Sequence, residues 1–248
     1  MLKVILVASG KGGTGKTSLC AGVGVHLARL GKRVLLIDAD CGLRNLDMVL
    51  GMSDRVVFSF WDVAQQMVPL RRAAAAHERE RNLALLTAPN DPLPADTRAQ
   101  WLQPIFEQAA EQFDYVLVDC PAGIGPAIDY FAPFTTQGIL VSTPDQPCLR
   151  GAERIARELE KRLVLRQRLV INRVRPRMIR AGLASNLDDA MDLTGLPLLG
   201  VIPEDDRVIA CGNQGVSIAD CRMKGAALAY ANIAQRVEGR KLPLMKLS

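Results

Sequence analysis

The chain lacks the cysteine spacings that mark a metal centre or a redox motif. Its six cysteines, Cys20, Cys41, Cys120, Cys148, Cys211 and Cys221, include no C-x-x-C or C-x-C pair. Their spacing supports neither a zinc site nor a thioredoxin-like motif, and they are expected as reduced, mostly buried thiols in a cytosolic setting. Histidine is scarce too. His26 and His77 stand far apart; His26 falls in a helical pattern and reads as packed or solvated. No apolar run approaches the ~20 residues of a membrane span. The first residues run into a strand-like segment without the basic, apolar and small-residue order of a leader. No repeat or Gly/Ser/Pro-rich linker divides the chain, so residues 1–238 are expected as a single domain and 239–248 as a short tail.

What is present is a regular alternation of elements. Nearly continuous apolar runs at Lys3–Ala8, Arg33–Ile37, Leu83–Thr87, Tyr115–Val118, Gly138–Ser142, Leu169–Ile171 and Leu198–Ile202 suit strands buried on both faces of a parallel sheet. Helical patterns lie between them at Lys16–Leu30, Thr97–Gln112, Leu149–Arg162 and Gly225–Val237. This order predicts an α/β fold: a doubly wound, mostly parallel sheet with helices on both faces. The segment Asp91–Asp96 reads as a loop and helix start. The 248 residues, 49% hydrophobic and 23% charged, suffice for one soluble core.

The most informative segment is Gly10-Lys11-Gly12-Gly13-Thr14-Gly15-Lys16-Thr17-Ser18. It matches G-x-x-x-x-G-K-T, follows an apolar strand and opens a helical pattern, the context in which a P-loop is credible. Glycines let the backbone curl until its N–H groups converge on phosphate oxygens, and the helix N-terminus adds positive potential. Lys16 supplies a cation for the β- and γ-phosphates of ATP or ADP, and the Thr17 hydroxyl a ligand for Mg²⁺. Asp38 and Asp40 end the second strand and Asp119 the fourth, where carboxylates face the ligand crevice. Such groups hold Mg²⁺ through water or orient the attacking water; the alternative for Asp38 and Asp40 is capping of the next turn, and for Asp119 capping of a helix.

Lys11 is a second lysine that an ordinary P-loop does not need. With it, K-G-G-x-G-K-T resembles the deviant Walker A ATPases of the MinD/ParA family. Two further segments resemble the MinD branch: Gly42-Leu43-Arg44-Asn45-Leu46-Asp47 as switch I, where partition ATPases carry D-P-Q-G-N, and Asp119-Cys120-Pro121-Ala122-Gly123-Ile124 as switch II. The resemblance runs to about Ser217. It implies a homodimer formed on ATP, in which Lys11 reaches the nucleotide of the opposite subunit. It assigns catalysis to Lys11, Lys16 and Asp40, and Mg²⁺ to Thr17, Asp38 and Asp119. It gives the nucleotide Gly10 to Ser18, Asn45, Gly123, Asn172 and Arg173, with Pro203, Glu204 and Asp205 closing over the base. Asn172 also reads as a buried strand-end cap. Arg44 and Asp47 are expected on a ligand-sensitive surface. By the same resemblance the chain is an ATPase switch that helps place the division septum. It would be cytoplasmic with peripheral attachment to the inner membrane face, and would meet MinC-like and MinE-like partners. Gly151, next to Arg150, stands where MinD proteins often carry an acid, which weakens the implied MinC contact.

Charge leaves other readings open. The net charge is +5, and eight basic residues without an acid lie between Lys161 and Arg180. They read as a solvated face or as a patch for acidic lipid, protein or DNA, the last being the mark of a ParA-like partition ATPase. A flagellar-number regulator of the same superfamily is a further alternative, though those proteins usually carry an extension before the first strand. A metal-loading ATPase would need paired cysteines. The tail Gly239–Ser248 has the apolar and basic residues of a membrane-contacting segment. Pro243 limits the helix that can follow to about 9 Å, and a frayed end is the other reading.

Overall fold

The computed structural model of the chain describes residues 1–41 and 43–245. Gly42 of the expected switch I, and Lys246, Leu247 and Ser248 of the expected tail, lie outside the described residues. The strands are β1 (Lys3–Ala8), β2 (Val34–Asp38), β3 (Ala75–Ala76), β4 (Leu83–Leu86), β5 (Tyr115–Asp119), β6 (Gln137–Ser142), β7 (Gln167–Val174) and β8 (Leu198–Pro203). The helices are α1 (Lys16–Arg29), α2 (Leu46–Val49), α3 (Phe60–Ala64), α4 (Leu70–Ala73), α5 (Gln103–Gln112), α6 (Pro126–Phe131), α7 (Gln146–Lys161), α8 (Pro176–Arg180), α9 (Leu187–Thr194), α10 (Asp206–Asn213) and α11 (Ala226–Val237).

The strands form one sheet in the order β3-β4-β2-β5-β1-β6-β7-β8. Pairing is parallel throughout except for β3, which runs antiparallel to β4 at the edge. The apolar runs explain the layering. In β1, Val4, Leu6 and Ala8 enter the core on one face, and Ile5 and Val7 the core on the other, as the two-residue strand period requires. Residues of α3, α5, α6 and α7 complete the first core; α1 and α11 cover the second. Close approach of α1 needs two glycines: a Cβ on Gly22 would lie 2.7 Å from the Tyr230 ring, and one on Gly24 2.7 Å from Leu36.

All seven anticipated strands are present, with ends shifted by up to three residues. The edge strand β3 was not anticipated, since two alanines carry no periodic signal. The helix expected from Thr97 starts as a 3-10 turn at Ala99–Leu102 and becomes α-helical at Gln103, with Pro104 in its first turn, where its missing N–H costs nothing. The helix expected from Leu149 begins three residues earlier, because the Asp145 carboxylate accepts from the Cys148 N–H at 3.1 Å. The basic stretch 161–180 is spread over the end of α7, β7 and α8, and several of its charges are paired: Lys161 with Glu158, Arg162 with Asp129 and Glu158, and Arg175 with Glu204. Of the cysteines, three are buried and three half-buried, all free, so burial is less general than expected.

His26 is packed, not solvated, being 6% exposed on α1. Its Nε2 has no hydrogen-bond partner. Burial, followed by the nearby Arg29 charge, lowers its pKa to about 4. The folded state therefore favours neutral imidazole. Its contribution is complete above the unfolded value of ~6.5 and is lost as pH falls towards 4. Urea titrations should show stability falling across that window by up to about 3 kcal/mol, with a flatter profile in His26→Leu; an identical slope in both proteins would refute the assignment.

Candidate functional site

The carboxyl ends of the parallel strands converge where β1 passes into α1. Strand β1 ends at Ala8, and Ser9 Oγ donates to the Lys11 carbonyl at 2.7 Å. Gly13 and Gly15 adopt positive φ of 74° and 94°, values open to glycine at little cost. Gly15 then caps α1 with no side-chain bond, and the first turn holds no acid. The N–H groups at this end remain free to serve an anion.

The loop is pressed from three sides. A Cβ on Gly10 would stand 2.3 Å from the Gly151 backbone, so the start of α7 lies directly against it. A Cβ on Gly15 would meet Asn172 Nδ2 at 2.1 Å. The Gly123 N–H donates to the Ser9 carbonyl at 2.8 Å, with Gly123 at φ 84°. Gly151 thus has a backbone role that its comparison with an acidic position did not suggest. Gly123, expected at the nucleotide, has its N–H engaged with Ser9.

The lysines differ. Lys16 is 8% exposed, with its charge felt by Asp119. Lys11 is exposed and, among the described residues, has no ion-pair partner. Thr14 is buried, and its Oγ1 is unpartnered.

Asp38 and Asp119 are register partners on β2 and β5 and almost fully buried. Asp38 accepts from the Asp40 N–H at 3.0 Å and from the Leu46 N–H at 3.1 Å, so the turn-capping role left open for it is present. Burial pushes its pKa up to about 6 despite these bonds. Burial likewise pushes Asp119 up to about 7, opposed by a Thr17 hydrogen bond, and its Oδ1 has no partner. Two adjacent buried carboxylates, one with an orphaned oxygen beside a threonine hydroxyl, fit a cation that brings phosphate oxygens and water with it. Among the described residues no three His, Cys, Asp or Glu side chains converge to hold a metal by themselves; Mg²⁺ beside a nucleotide does not need them. Asp40 Oδ1 accepts from the Leu43 N–H at 3.3 Å.

Arg44 sits at φ 43°, held by a 3.1 Å bond to Thr87 Oγ1, by Asn90, and by Asp47 at 3.8 Å. Asp47 is buried, 8% exposed, and its Oδ1 accepts from the Met48 N–H. Asn45 precedes α2, and its carbonyl accepts from Val49.

A second cleft adjoins the P-loop. It brings together Gly15 and Ser18, anticipated for the phosphates, with Asn172, Arg173, Pro203, Glu204 and Asp205, anticipated around the base; Asn45 is not among its lining residues. Val208, Ile209 and Tyr230 also line it and escaped sequence reasoning, because each looks like ordinary helix packing. The position of Asn172 depends on a break in register between β7 and β8 from Ile171 to Val174, with Arg173 at φ 54°. Such a bulge re-aims a side chain. Asn172 Nδ2 donates to the Thr14 carbonyl at 2.7 Å, and its Oδ1 accepts from the Arg173 N–H at 2.8 Å. Its amide therefore fastens the P-loop to the base cleft, a task not anticipated for it. Asp205 is equally engaged, accepting from the Arg207 guanidinium at 2.6 Å and the Ala226 N–H at 3.0 Å.

Residues 5–218 match the family model described as the CobQ/CobB/MinD/ParA nucleotide binding domain. The chain belongs to this P-loop nucleotide-binding family. Within it the similarity is to MinD. The septum site-determining protein MinD of Synechocystis is 37% identical over 246 residues, spanning 99% of this chain and 92% of that protein. The Aquifex aeolicus MinC:MinD cell division protein complex contains a chain 34% identical to this one, with a TM-score of 0.90 and 98% of each chain covered. Pyrococcus horikoshii MinD, solved with Mg-ADP, is 27% identical with a TM-score of 0.80 and 96% of each chain covered.

Asn172→Ala should remove the tie to Thr14 and weaken ADP binding about tenfold, the effect of one buried hydrogen bond. Calorimetric titration measures this, and unchanged affinity would show that the loop holds its curl unaided.

Proposed function

We propose that the chain is a MinD-like ATPase switch that hydrolyses ATP to ADP and phosphate as a homodimer and helps place the division septum. The observation that carries this is the contrast between the two P-loop lysines. Lys16 is enclosed and serves the phosphates of its own subunit. Lys11 is exposed on the loop, and none of the described residues lies within 4 Å of a Cβ added to Gly12 or Gly13 beside it.

On this reading the free N–H groups at the start of α1, with Lys16, bind and orient the triphosphate. The second subunit's Lys11 adds charge where it develops in the transition state, in the manner of an arginine finger. Asp40 orients the attacking water. Thr17, Asp38 and Asp119 would hold Mg²⁺, which would supply charge neutralisation when bound. The base enters the cleft between Asn172 and the segment Pro203–Asp205. Gly123 exchanges its Ser9 bond for the γ-phosphate and gives it up on hydrolysis.

The same reading makes residues 1–238 the working domain and the tail a peripheral contact for the acidic inner membrane face. Among the described residues no helix is long and apolar enough to cross a membrane. The tail is folded back: Arg236 donates to the Leu242 carbonyl at 3.1 Å and the Pro243 carbonyl at 2.8 Å, and Met245 packs against the core. Membrane contact therefore requires release from Arg236, a step that dimerisation on ATP drives. A MinC-like protein would bind the ATP-dimer and a MinE-like protein would stimulate its turnover.

Lys11→Ala should lower steady-state ATP turnover by about 10³ while ADP affinity stays the same; full turnover in this variant would defeat the trans-lysine mechanism. Arg236→Gln should raise sedimentation with acidic liposomes in ADP about threefold to tenfold, with no binding once the chain is cut after Gly239. If the intact protein in ATP does not sediment, the membrane role fails.

A further inference from the structure

Cys211 and Cys221 are ten residues apart in sequence, yet their sulfurs lie 3.1 Å apart in an S–H···S contact. A disulfide requires ~2.05 Å, so closure asks the sulfurs to approach by about 1 Å. Both are free thiols; Cys211 is buried on α10 and Cys221 half-buried after a 3-10 turn. None of the roles assigned above uses either of them.

We propose that Cys211 and Cys221 are a reversible modification site, closed to a disulfide by exchange with a low-molecular-weight disulfide, and that closure locks one wall of the base cleft. The chemistry balances. The more accessible Cys221, as thiolate, attacks one sulfur of oxidised glutathione, breaks its S–S bond and expels glutathione thiolate, which takes up a proton. Cys211 then loses its proton, attacks the Cys221 sulfur of the mixed disulfide and expels the second glutathione. The two cysteines together give up two electrons and two protons, and one oxidised glutathione becomes two thiols.

The surroundings support this order. The charge of Arg207 acts on both sulfurs, and Cys221 is the more exposed of the two. Burial pushes the Cys211 thiol up to about 11, which suits it to the second, intramolecular step, where proximity compensates for a small thiolate fraction.

The consequence follows from what the pair joins. Helix α10 supplies Asp206, Val208 and Ile209 to the cleft wall. The segment after Cys221 is tied to the start of α10 without covalent bonds: Arg207 donates to the Arg222 carbonyl at 3.3 Å and to the Lys224 carbonyl at 2.9 Å, and Asp205 accepts from Ala226. In the dithiol form these bonds break and re-form as the wall opens. A disulfide holds the far end of the same segment against α10, and opening is suppressed. The lock rests on the base cleft proposed above; the bond itself does not.

The test uses the full chain with excess oxidised glutathione. The expected result is loss of two titratable thiols, a peptide map joining Cys211 to Cys221 with two hydrogens lost, and reversal by reductant. Dissociation of a fluorescent ADP analogue should slow about tenfold in the oxidised protein and recover on reduction, with no response in the Cys211→Ser/Cys221→Ser variant. A glutathione adduct that persists on Cys221, a bridge to Cys41 or Cys148, or no bridge at all would overturn the site. A mapped bridge with unchanged release would overturn the lock. Because the map needs no nucleotide, failure of the base-cleft reading is distinguishable from failure of the thiol pair.

Discussion

The structure depends on close approach of other parts of the chain to glycines of the P-loop. Gly10 rests against Gly151, Gly15 against the Asn172 amide, and Ser9 accepts from Gly123. Each contact brings a different part of the chain to the same turn: α7, the bulge in β7, and the segment after β5. Because β1 is flanked by β5 and β6, the loop leaves from the middle of the sheet, where these parts can reach it. A side chain at Gly10 would displace α7, and one at Gly15 would require both a strained φ and the loss of the Asn172 tie.

Electrostatics complements this packing. Asp38 and Asp119 are buried as neighbours, at a cost that appears as raised affinity for protons. Opposite them, the start of α1 offers unsatisfied N–H groups and a nearly buried lysine. An arrangement with both kinds of unmet demand in one crevice is suited to an anion accompanied by a cation, which is what a nucleotide with Mg²⁺ provides. That suitability belongs to the residues themselves and is consistent with membership of a nucleotide-binding family.

Much of this was legible in the sequence because it is local. The glycine spacing of the P-loop, the apolar strands and the aspartates at their ends are read within a few residues, and their positions in the sheet follow. What was not legible depends on tertiary placement. A register break between Ile171 and Val174 decides where Asn172 points, and no periodicity announces it. The two-residue strand β3 exists because β4 offers it an edge. Asp47 looked like a surface charge by type, but it is buried on the short helix α2. Cys211 and Cys221 carry no spacing signal, since a 3-10 turn and a loop, not a motif, bring their sulfurs together.

The bond from the Gly123 N–H to the Ser9 carbonyl makes that donor exclusive. A single N–H aimed at Ser9 is not available to an incoming oxygen, so the chain must choose between an internal acceptor and an external one. Exchanging one for the other conserves the number of hydrogen bonds, and the balance is set by charge: a formally negative oxygen outcompetes a neutral carbonyl. On the function proposed above, the segment beyond β5 would work as a comparator, reporting whether a strongly negative atom stands beside the loop, and it would need no stored strain to do so.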